Sequence, residues 1–400
     1  MSILDLIKDK TQWNIFYKYK DEKGHLTKQE KEELKSFIDD EKYLDIANNI
    51  KDTSYNFSVP VKKEINKSGT DKKRTVYCYS KEENIVLKFI TFNLSKYDYK
   101  LMPNCYSFRK DFGVRKALDT IISSKNIDDM YAYKVDIKNY FNSIDIDRLL
   151  VILKDVIEDE ELYSFFVKLL TLDKAYFNDK LIEEKRGAMA GVPFSPFLAN
   201  IYLTDLDKYF YDNNILYARY SDDIIVFASS LEELEKYKEY IVNTIHSKGL
   251  KINPNKEYTF NPNEGWNFLG IQYSNGLIDL SDVTMDKIKG KIRRKARALY
   301  RWKIRKNASD ERAIRAMIKT INHKFFDATM VNDLTWSRWF FPLITTDTRL
   351  KEVDSYLQYY LRYISTGKHN KSNYNIRYSK LKEYKYRSLV NEYYKTKSNG

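Results

Sequence analysis

Apolar residues recur along the chain at two different periods, and the change between them predicts a protein that mixes helices with strands. Apolar side chains make up 43% of the sequence, enough for a large buried core. Steps of three and four residues are typical of amphipathic helices. Such steps occur in the stretches 34–50, 82–122 (interrupted at 105–109), 146–172, 231–248 and 285–302. The first stretch predicts a small helical N-terminal extension over residues 1–58.

Short apolar runs between the helical stretches predict strands, and two of these strands carry aspartates. Residues 130–137 bracket the single Asp136, as in a buried strand that ends in a carboxylate. A charged side chain is rarely buried without a partner. Two further runs flank Asp222 and Asp223, which is the pattern of a β-hairpin with an acidic tip.

The adjacent aspartates of this hairpin have two interpretations. Taken alone, an aspartate pair in a turn is usually only solvated. Neighbouring carboxylates repel, however, and Mg²⁺ would neutralise them because it binds a few carboxylate oxygens together with water and substrate phosphates. If the Asp136 strand lies beside the hairpin, three carboxylates can hold two metal ions ~3.5–4 Å apart for in-line phosphoryl transfer. The second interpretation predicts a nucleotidyl transferase.

Three other motifs have both a structural and a functional interpretation. A basic, turn-rich segment that ends at Arg74 could grip a triphosphate, and an exposed loop with ordinary lysines explains it equally well. Asp145 and Asp147 are placed to cap the helix that follows them, and we favour capping for both. Glycines and prolines in residues 187–196 predict a loop before a helix, where Gly191 lets the backbone approach a ligand closely.

The positive charge of the chain is concentrated in its last third. The formal net charge is +13, yet residues 281–400 contain 28 Lys and Arg against 11 Asp and Glu, and the preceding residues contain 41 against 45. Such asymmetry points to a polyanionic partner, nucleic acid before a membrane surface. The 34 tyrosines suit stacking on unpaired bases, although an AT-rich genome explains much of that composition.

The helical stripe 285–302 has a basic opposite face. Its residues are Lys287, Lys291, Arg294, Lys295, Arg301 and Arg305. A solvated basic helix is one interpretation. Given the charge asymmetry, we favour a helix that follows the phosphates of a nucleic acid.

Cysteine usage and targeting signals indicate a reducing compartment. Cys78 and Cys105 and four scattered histidines do not have the spacing of a disulfide framework or a zinc site. The first residues lack the apolar core of a signal peptide, and no apolar run approaches the ~20 residues of a membrane span. We therefore expect a soluble cytoplasmic protein without a membrane partner.

The acidic hairpin and its neighbours resemble a known family. Tyr220-Ser221-Asp222-Asp223 is similar to the Tyr-x-Asp-Asp box of reverse transcriptases. Other motifs of that family occur in the same order, namely residues 135–141, 191–200, 251–256 and the Phe268-Leu269-Gly270 hairpin. The resemblance covers residues 70–275 and is greatest to prokaryotic enzymes of the group II intron and retron lineage.

The resemblance implies a right-hand polymerase of the α+β class with an antiparallel palm sheet. Fingers and palm would occupy residues 59–280, and a basic helical thumb with an RNA-binding C-terminal region would occupy residues 281–400. Asp136 and Asp222 would bind the metal ions, Asp223 would support them, and the Ile137 carbonyl would be a further ligand. The implied cofactor is a pair of Mg²⁺ ions, with Mn²⁺ as the alternative.

The resemblance also implies substrate contacts. Phe141 would be a steric gate against the 2′-hydroxyl of ribonucleotides, whereas without the palm motif it is interpreted as an ordinary core aromatic. The other residues expected to contact the incoming dNTP are Lys73, Arg74, Gly191 and Lys256. The residues expected to contact nucleic acid are Arg109, Tyr220, Phe268, Leu269, Gly270, Lys291, Arg294, Lys295 and Arg301.

One departure and several missing signatures narrow the branch. Met189-Ala190-Gly191 replaces the family's Pro-Gln-Gly, so the glutamine that touches the templating pair is absent. A Val-Thr-Gly thumb signature of retron enzymes, a His-Asn-His nuclease and an RNase H acidic set are also absent from the sequence. The chain therefore resembles the defence-associated reverse transcriptases of bacteria, which copy a dedicated non-coding RNA, or add nucleotides without a template, to block phage. The implied partners are an RNA template, a DNA product and dNTPs.

Other interpretations stay open. The chain could be a retron enzyme, a maturase-like binder of intron RNA, an RNA-binding module with a degenerate palm, or an RNA polymerase. The three aspartates argue against the degenerate module, and Phe141 argues against the RNA polymerase. The sequence does not identify the template, the primer or the oligomeric state.

Overall fold

The computed structural model describes residues 1–22, 26–50, 57–66, 73–327 and 335–398. The described residues fall into two compact units, one within 1–264 and one within 265–398. Both units combine helices with antiparallel strand pairs, which confirms the predicted α+β class. The basic tip predicted within residues 67–72 lies outside the described residues.

The first unit contains the predicted fingers and palm. In chain order its strands are β1 (Val61–Asn66), β2 (Lys73–Cys78), β3 (Tyr131–Asp136), β4 (Lys174–Phe177), β5 (Lys180–Glu183), β6 (Tyr217–Tyr220), β7 (Asp223–Ala228) and β8 (Tyr258–Phe260). Its helices are α1 (Lys10–Glu22), α2 (Lys28–Asp39), α3 (Tyr43–Asn49), α4 (Lys81–Asn93), α5 (Val114–Ile122), α6 (Tyr140–Ser143), α7 (Ile146–Val156), α8 (Glu160–Thr171), α9 (Ser195–Tyr202), α10 (Thr204–Asp212) and α11 (Leu231–Ser247).

Two four-stranded sheets organise this unit. The sheet that carries the aspartates has the order β6-β7-β3-β8, and all its neighbouring strands are antiparallel. Its strand β7 is an almost continuous buried apolar run, as expected of a strand covered on both faces. The second sheet has the order β2-β1-β4-β5, in which β1 and β4 are parallel and the other pairs are antiparallel.

The N-terminal helices share the core of the first unit. The predicted separate extension over residues 1–58 instead belongs to the same compact unit as the sheets. The Trp13 ring lies fully buried and stacks on Phe89 of α4 with ring centroids 4.1 Å apart. Tyr43 stacks on the same indole at 5.2 Å. Sequence spacing predicted helices over residues 34–50, but it did not predict α1 or what these helices pack against.

The predicted helix 146–172 is two helices rather than one. Helix α7 ends at Val156 and α8 begins at Glu160. Asp159 ends the run because its side chain accepts a hydrogen bond from the Leu162 N–H at 3.1 Å and caps α8. Asp145 caps α7 in the same way, as predicted, by accepting from the Arg148 N–H at 3.1 Å.

The second unit contains a three-stranded antiparallel sheet and the C-terminal helices. Its strands are β9 (Trp266–Phe268), β10 (Ile271–Ser274) and β11 (Leu277–Leu280), in the order β11-β10-β9. Its helices are α12 (Asp282–Lys306), α13 (Asp310–Phe325), α14 (Trp336–Phe340), α15 (Thr348–Thr366), α16 (Tyr378–Glu383) and α17 (Leu389–Ser398). This unit begins before the predicted boundary at residue 281, because the hairpin of β9 and β10 belongs to it.

Helix α12 carries the predicted apolar stripe. Met285, Ile288, Ile292 and Ala296 are buried along it, while Lys291 and the other predicted basic residues are exposed. The sequence did not predict that Lys303 is buried, where its ammonium donates to Asp310 at 2.8 Å. Among the helices of the described ranges, none combines the length and the apolar character that crossing a lipid bilayer requires.

Candidate active site

The three predicted aspartates lie at one end of the β6-β7-β3-β8 sheet. Asp136 is the last residue of β3 and stands directly opposite Asp223, the first residue of β7. Asp222 lies in the two-residue turn that joins β6 to β7, because Tyr220 pairs with Asp223. Asp136 is only 3% exposed. The predicted meeting of strand and hairpin is therefore present.

Main-chain hydrogen bonds hold the ends of these strands together. The Ile137 N–H donates to the Asp222 carbonyl at 3.0 Å, so the turn is tied to the residue after β3. The Asn253 N–H donates to the Asp136 carbonyl at 2.8 Å, and Ile252 forms an isolated bridge with Ile137. The positions of the three aspartates thus depend on backbone pairing rather than on their own side chains.

Asn253 and Lys256 supply the partners that a buried aspartate requires. The Asn253 Nδ2 donates to Asp136 Oδ1 at 2.9 Å, and the Lys256 ammonium donates to Asp136 Oδ2. Desolvation acts to lower the pKa of Lys256, but its hydrogen bond to Asp136 and the nearby carboxylate charges outweigh this, and the pKa is raised. Lys256, predicted to contact the dNTP, lies against the Asp136 carboxylate. The sequence did not single out Asn253 as a site residue, although it lies three residues before Lys256 within the motif 251–256.

The surroundings of Asp222 disfavour its ionised form. Burial raises its pKa to about 6, and the negative charges of Asp223 and Asp136 act in the same direction. The positive charge of Lys256 acts against this rise without cancelling it. A further positive charge at this end of the sheet would therefore stabilise the ionised carboxylates.

The donor set suits a hard divalent cation. Carboxylate oxygens are the ligands that Mg²⁺ and Mn²⁺ prefer, and the raised pKa of Asp222 reflects charge that a cation would neutralise. Among the described residues, no group of three or more His, Cys, Asp or Glu side chains is arranged so that it could hold a metal ion. Asn253 and Lys256 contact the two oxygens of Asp136. The carboxylates fit such a cation by their donor chemistry, and Lys256 would compete with it for Asp136 Oδ2.

A buried ion pair lies behind the acidic turn. Arg219 and Asp207 are both fully buried. Arg219 Nε donates to Asp207 Oδ1 at 2.8 Å and Nη2 donates to Oδ2 at 2.5 Å, a bidentate pairing. Arg219 also donates to the carbonyl of Asn200 at 2.9 Å and to that of Ser221 at 3.4 Å. It thereby connects α10, α9 and the turn that contains Asp222.

The segment around Ser107 holds the same turn from another side. Ser107 Oγ accepts a hydrogen bond from the Ser221 N–H at 2.9 Å and donates to Asn200 Oδ1 at 2.9 Å. The Tyr106 N–H donates to the Arg219 carbonyl at 2.9 Å. Ser221 has φ +62, a backbone conformation that a non-glycine residue adopts only when its surroundings enforce it. The sequence showed no periodicity that would have revealed this network.

Aromatic rings line the site next to the turn. Phe141 is half-buried, with its ring centroid 5.8 Å from Tyr140 and 6.4 Å from Phe108. Tyr220 is also half-buried, and its ring centroid lies 6.3 Å from that of Phe108. Phe141 also packs against the hydrophobic core, and its role as a steric gate stays a prediction.

The loop that contains Met189-Ala190-Gly191, where the sequence departs from the family's Pro-Gln-Gly, packs between strand β2 and the segment of Phe141. The Ala188 N–H donates to the Phe141 carbonyl at 2.8 Å, and the Tyr77 N–H donates to the Ala190 carbonyl at 2.8 Å. At Gly191, with φ +97, a Cβ would approach the Val76 Cβ to 3.0 Å. Glycine is thus required here for packing and backbone conformation, and its predicted contact with dNTP stays a prediction.

The structure separates the two predicted triphosphate-binding residues of β2. Lys73 and Arg74 are neighbours in a strand, so their side chains point to opposite faces of the sheet. Lys73 Nζ donates to Glu64 at 2.8 Å. Arg74 is exposed on the face that also carries Val76 and therefore the Gly191 loop. Of the two, Arg74 is the better placed to reach the loop side of the sheet.

Arg109 has a structural role that argues against its predicted contact with nucleic acid. Its Nη1 donates to the carbonyls of Met102 at 2.6 Å and Cys105 at 2.9 Å, and its Nη2 donates to the carbonyl of Asp98 at 3.1 Å. The guanidinium also stacks 3.9 Å from the centre of the Phe112 ring. Because both Nη groups donate to carbonyls of this turn, Arg109 fixes the turn.

The remaining predicted nucleic-acid contacts lie in the second unit. Leu269 and Gly270 form the two-residue turn between β9 and β10, with φ +49 and +90. Lys291, Arg294, Lys295 and Arg301 are exposed on α12. A left-handed Leu269 is unusual for a bulky residue, and the hairpin closely constrains it. Phe268, at the end of β9, is fully buried, which argues against its predicted contact with nucleic acid. The contacts of the other residues stay predictions.

Fold and site together define the palm of a nucleic-acid polymerase, with aspartates at the strand ends of an antiparallel sheet. Residues 65–273, just over half of the chain, match the family described as "Reverse transcriptase (RNA-dependent DNA polymerase)". The chain belongs to this family. The matched range contains all three aspartates, Phe141 and Lys256.

One curated relative and two solved structures extend the comparison. The chain is 29% identical over 106 residues to the Retron Ec86 reverse transcriptase of Escherichia coli, a match that covers 26% of the chain and 33% of the relative. The match thus spans about a third of the relative's length. A telomerase structure from Candida tropicalis has a TM-score of 0.45 at 15% identity and covers 57% of the chain and 56% of its own. A Candida albicans telomerase solved with a fragment of telomeric RNA has a TM-score of 0.47 at 10% identity, covering 86% of the chain and 66% of its own.

Proposed function

We propose that the chain is an RNA-directed DNA polymerase that extends a primer with dNTPs by two-metal nucleotidyl transfer. The observation that carries this proposal is the arrangement of Asp136, Asp222 and Asp223 at one end of the palm sheet, within the range that matches the reverse transcriptase family. A carboxylate whose pKa is raised by burial and by neighbouring carboxylates, as that of Asp222 is, is typical of metal-dependent phosphoryl transfer.

The roles of the site residues follow from their places. Asp136 and Asp222 would hold two Mg²⁺ or Mn²⁺ ions, with Asp223 and the Ile137 carbonyl in support. When bound, these ions supply Lewis acidity that activates the primer 3′-hydroxyl and stabilises the leaving pyrophosphate. Lys256 neutralises Asp136 until then, and would move to the triphosphate when the carboxylates take up metal. Arg74 would join it there.

The proposed sugar selectivity belongs to Phe141. Phe141 is the second residue of α6 and lies five residues after Asp136, the end of β3. A bulky ring beneath the sugar would clash with a 2′-hydroxyl, which favours dNTPs over rNTPs. Because Met189 and Ala190 replace the family's Pro-Gln, the templating pair would lack the usual glutamine contact on that side.

The template would be RNA, held with the DNA product by the basic C-terminal unit. The concentration of positive charge after residue 281 and the exposed basic face of α12 support this part of the proposal. A dedicated non-coding RNA and a role in defence against phage in the bacterial cytoplasm follow from the sequence resemblance. The second candidate is a retron-like enzyme, favoured by the match to the Retron Ec86 reverse transcriptase.

The decisive experiment compares purified full-length protein with an Asp222→Asn variant. The wild type is expected to extend a DNA or RNA primer on an RNA template with dNTPs and Mg²⁺ or Mn²⁺, and the variant is expected to lose more than about a thousandfold in rate because one metal ligand is gone. Asp155→Asn, an exposed aspartate on α7, is the matched control and should extend as the wild type does.

The nucleic acid bound to both proteins identifies the template. Sequencing should find the same RNA with the wild type and with Asp222→Asn, and complementary DNA with the wild type alone. No extension by the wild type under any template pairing would contradict the proposal and favour the degenerate RNA-binding module. DNA that persists with Asp222→Asn would contradict the metal-site assignment. A flanking intron sequence in the bound RNA would identify the maturase-like alternative.

A further inference from the structure

Phe108 presents an apolar ring to solvent beside the acidic turn. The residue is 54% exposed and has φ +57. An exposed phenylalanine is by itself common on protein surfaces. A bulky residue in the left-handed region is not, because its Cβ crowds the backbone there, and such strain persists only where the surroundings enforce it. Phe108 therefore calls for a reason beyond surface composition.

The residues on both sides of Phe108 are fixed. Ser107 is fully buried and its hydroxyl bonds to Ser221 and Asn200. Arg109 donates to main-chain carbonyls of the preceding turn, among them that of Cys105 at 2.9 Å. The backbone at Phe108 cannot relax while these anchors hold. The fold thus keeps the ring outside the core.

The ring of Phe108 lies near two rings of the candidate site. Its centroid is 6.4 Å from that of Phe141, edge to face, and 6.3 Å from that of Tyr220, tilted by 42°. Phe141 follows the strand of Asp136, and Tyr220 precedes the turn of Asp222. The three rings form one apolar surface, which we name the aromatic floor, alongside the carboxylates.

We propose that Phe108 is a specificity-determining residue that contacts the sugar and base of the incoming deoxynucleotide. This rests on the proposed polymerase function. The carboxylates beside the aromatic floor can hold the triphosphate through metal, and an uncharged ring offers the apolar face that a nucleoside needs. Phe108 would thus extend the surface beneath the nucleotide from Phe141 toward the primer end at Tyr220.

A Phe108→Gly variant tests the proposal by steady-state primer extension. Removing the ring should raise KM for dNTP about tenfold, as expected when one aromatic ring no longer stacks on the nucleoside. The rate at saturating dNTP and the Kd for primer–template, measured without dNTP, should each change less than about twofold, since only binding of the nucleotide is weakened. The midpoint of thermal unfolding should stay equal or rise, because glycine adopts φ +57 without strain.

Two matched variants separate the ring from the backbone. Phe108→Tyr keeps the ring and should restore a KM close to the wild-type value. Asp111→Gly makes the same backbone change at an exposed residue with φ +60 in the same loop, and should leave KM unchanged.

The outcomes distinguish this inference from the proposed function. If the wild type extends primers and Phe108→Gly has an unaltered KM, the inference is overturned while the polymerase stands. A weakened Kd for primer–template with an unaltered KM also overturns it, because the ring then serves the primer. A lowered unfolding midpoint with a proportional loss of rate would show a structural role only. If the wild type itself extends no primer, both proposals fail.

Discussion

Asp222 is held where its charge is unfavourable to the folded chain. Its pKa is raised to about 6 from an ordinary value of 3.8, first by burial and then by the charges of Asp223 and Asp136. The folded chain therefore binds this proton more tightly than the unfolded chain does. The contribution of the protonated group to stability is fully present below about pH 4 and is lost as the pH rises through about 6.

The first prediction concerns the pH dependence of stability in metal-free buffer. A shift of about two pKa units corresponds to about 3 kcal/mol, so ionisation of Asp222 should lower the free energy of unfolding by at most about this amount between pH 4 and pH 7. Urea unfolding of the wild type and Asp222→Asn at both pH values measures it. The free energy of unfolding of the variant should fall less between pH 4 and pH 7 than that of the wild type. Mg²⁺ should reduce the difference between the two proteins at pH 7. Equal pH dependence in both proteins would contradict the raised pKa.

Sequence predicted the aspartates better than the side chains that surround them. Local pattern places Asp136 at the end of an apolar run and Asp222 in a hairpin. Their proximity was therefore predictable from the single assumption that the Asp136 strand lies beside the hairpin. The contact of Lys256 with Asp136 joins residues 120 positions apart, and no periodicity encodes it. Phe108 was missed because exposure and positive φ are properties of tertiary packing.

At the scale of elements, the Arg219–Asp207 pair joins β6 to α10 behind the acidic turn. Both side chains are fully buried, and the guanidinium also reaches the carbonyls of Asn200 and Ser221. A buried ion pair adds little over an apolar pair of similar volume, but removing one partner leaves an uncompensated charge. The pair therefore specifies where the turn lies more than it stabilises the fold.

The second prediction follows from this asymmetry. Asp207→Asn should lower the free energy of unfolding by about 3–5 kcal/mol because it leaves Arg219 charged and buried. Denaturant unfolding measures the loss. Asp212→Asn, which removes the partner of Lys208 in an exposed pair on the same helix, should cost less than about 1 kcal/mol. The double variant Asp207→Leu with Arg219→Met should be more stable than Asp207→Asn. Equal losses at the buried and exposed pairs would contradict the asymmetry.

The elements themselves were only partly predictable. Apolar periodicity continues from α7 into α8, and three aspartates, at positions 147, 155 and 159, lie between residues 146 and 172. Asp159 caps α8 with its side chain, whereas Asp147, predicted to cap, lies within the first turn of α7, which Asp145 caps. The continuous periodicity does not show which aspartate begins a helix.

At the scale of the whole molecule, charge is divided between the two units. The basic face of α12 lies in the second unit, and the carboxylates lie in the first. Binding of a nucleic acid through Lys and Arg releases condensed cations, so affinity falls with salt in proportion to the number of phosphates that the protein neutralises.

The third prediction concerns this salt dependence. Replacing Lys291 and Lys295 by Gln should reduce the slope of log K against log salt for an RNA–DNA duplex by about one for each phosphate that the helix no longer neutralises. Fluorescence anisotropy over a range of salt concentrations measures the slope. Lys18→Gln with Lys154→Gln, two exposed lysines of the first unit, is the charge-matched control. A slope that falls equally in both double variants would show that net charge matters and the face of α12 does not.

The burial of Trp13 against Phe89 limits where the part of the chain that matches the family can be separated from the rest. The family match begins at residue 65, after the helices that supply Trp13 and Tyr43 to the common core. It also ends at residue 273, nine residues into the second unit. A fragment cut at the limits of the family match would expose one side of α4 and would carry β9 and most of β10 without their neighbour β11. The limits of the family match and the limits of the compact units thus differ in this chain. A gene fusion or a domain exchange would have to follow the limits of the compact units.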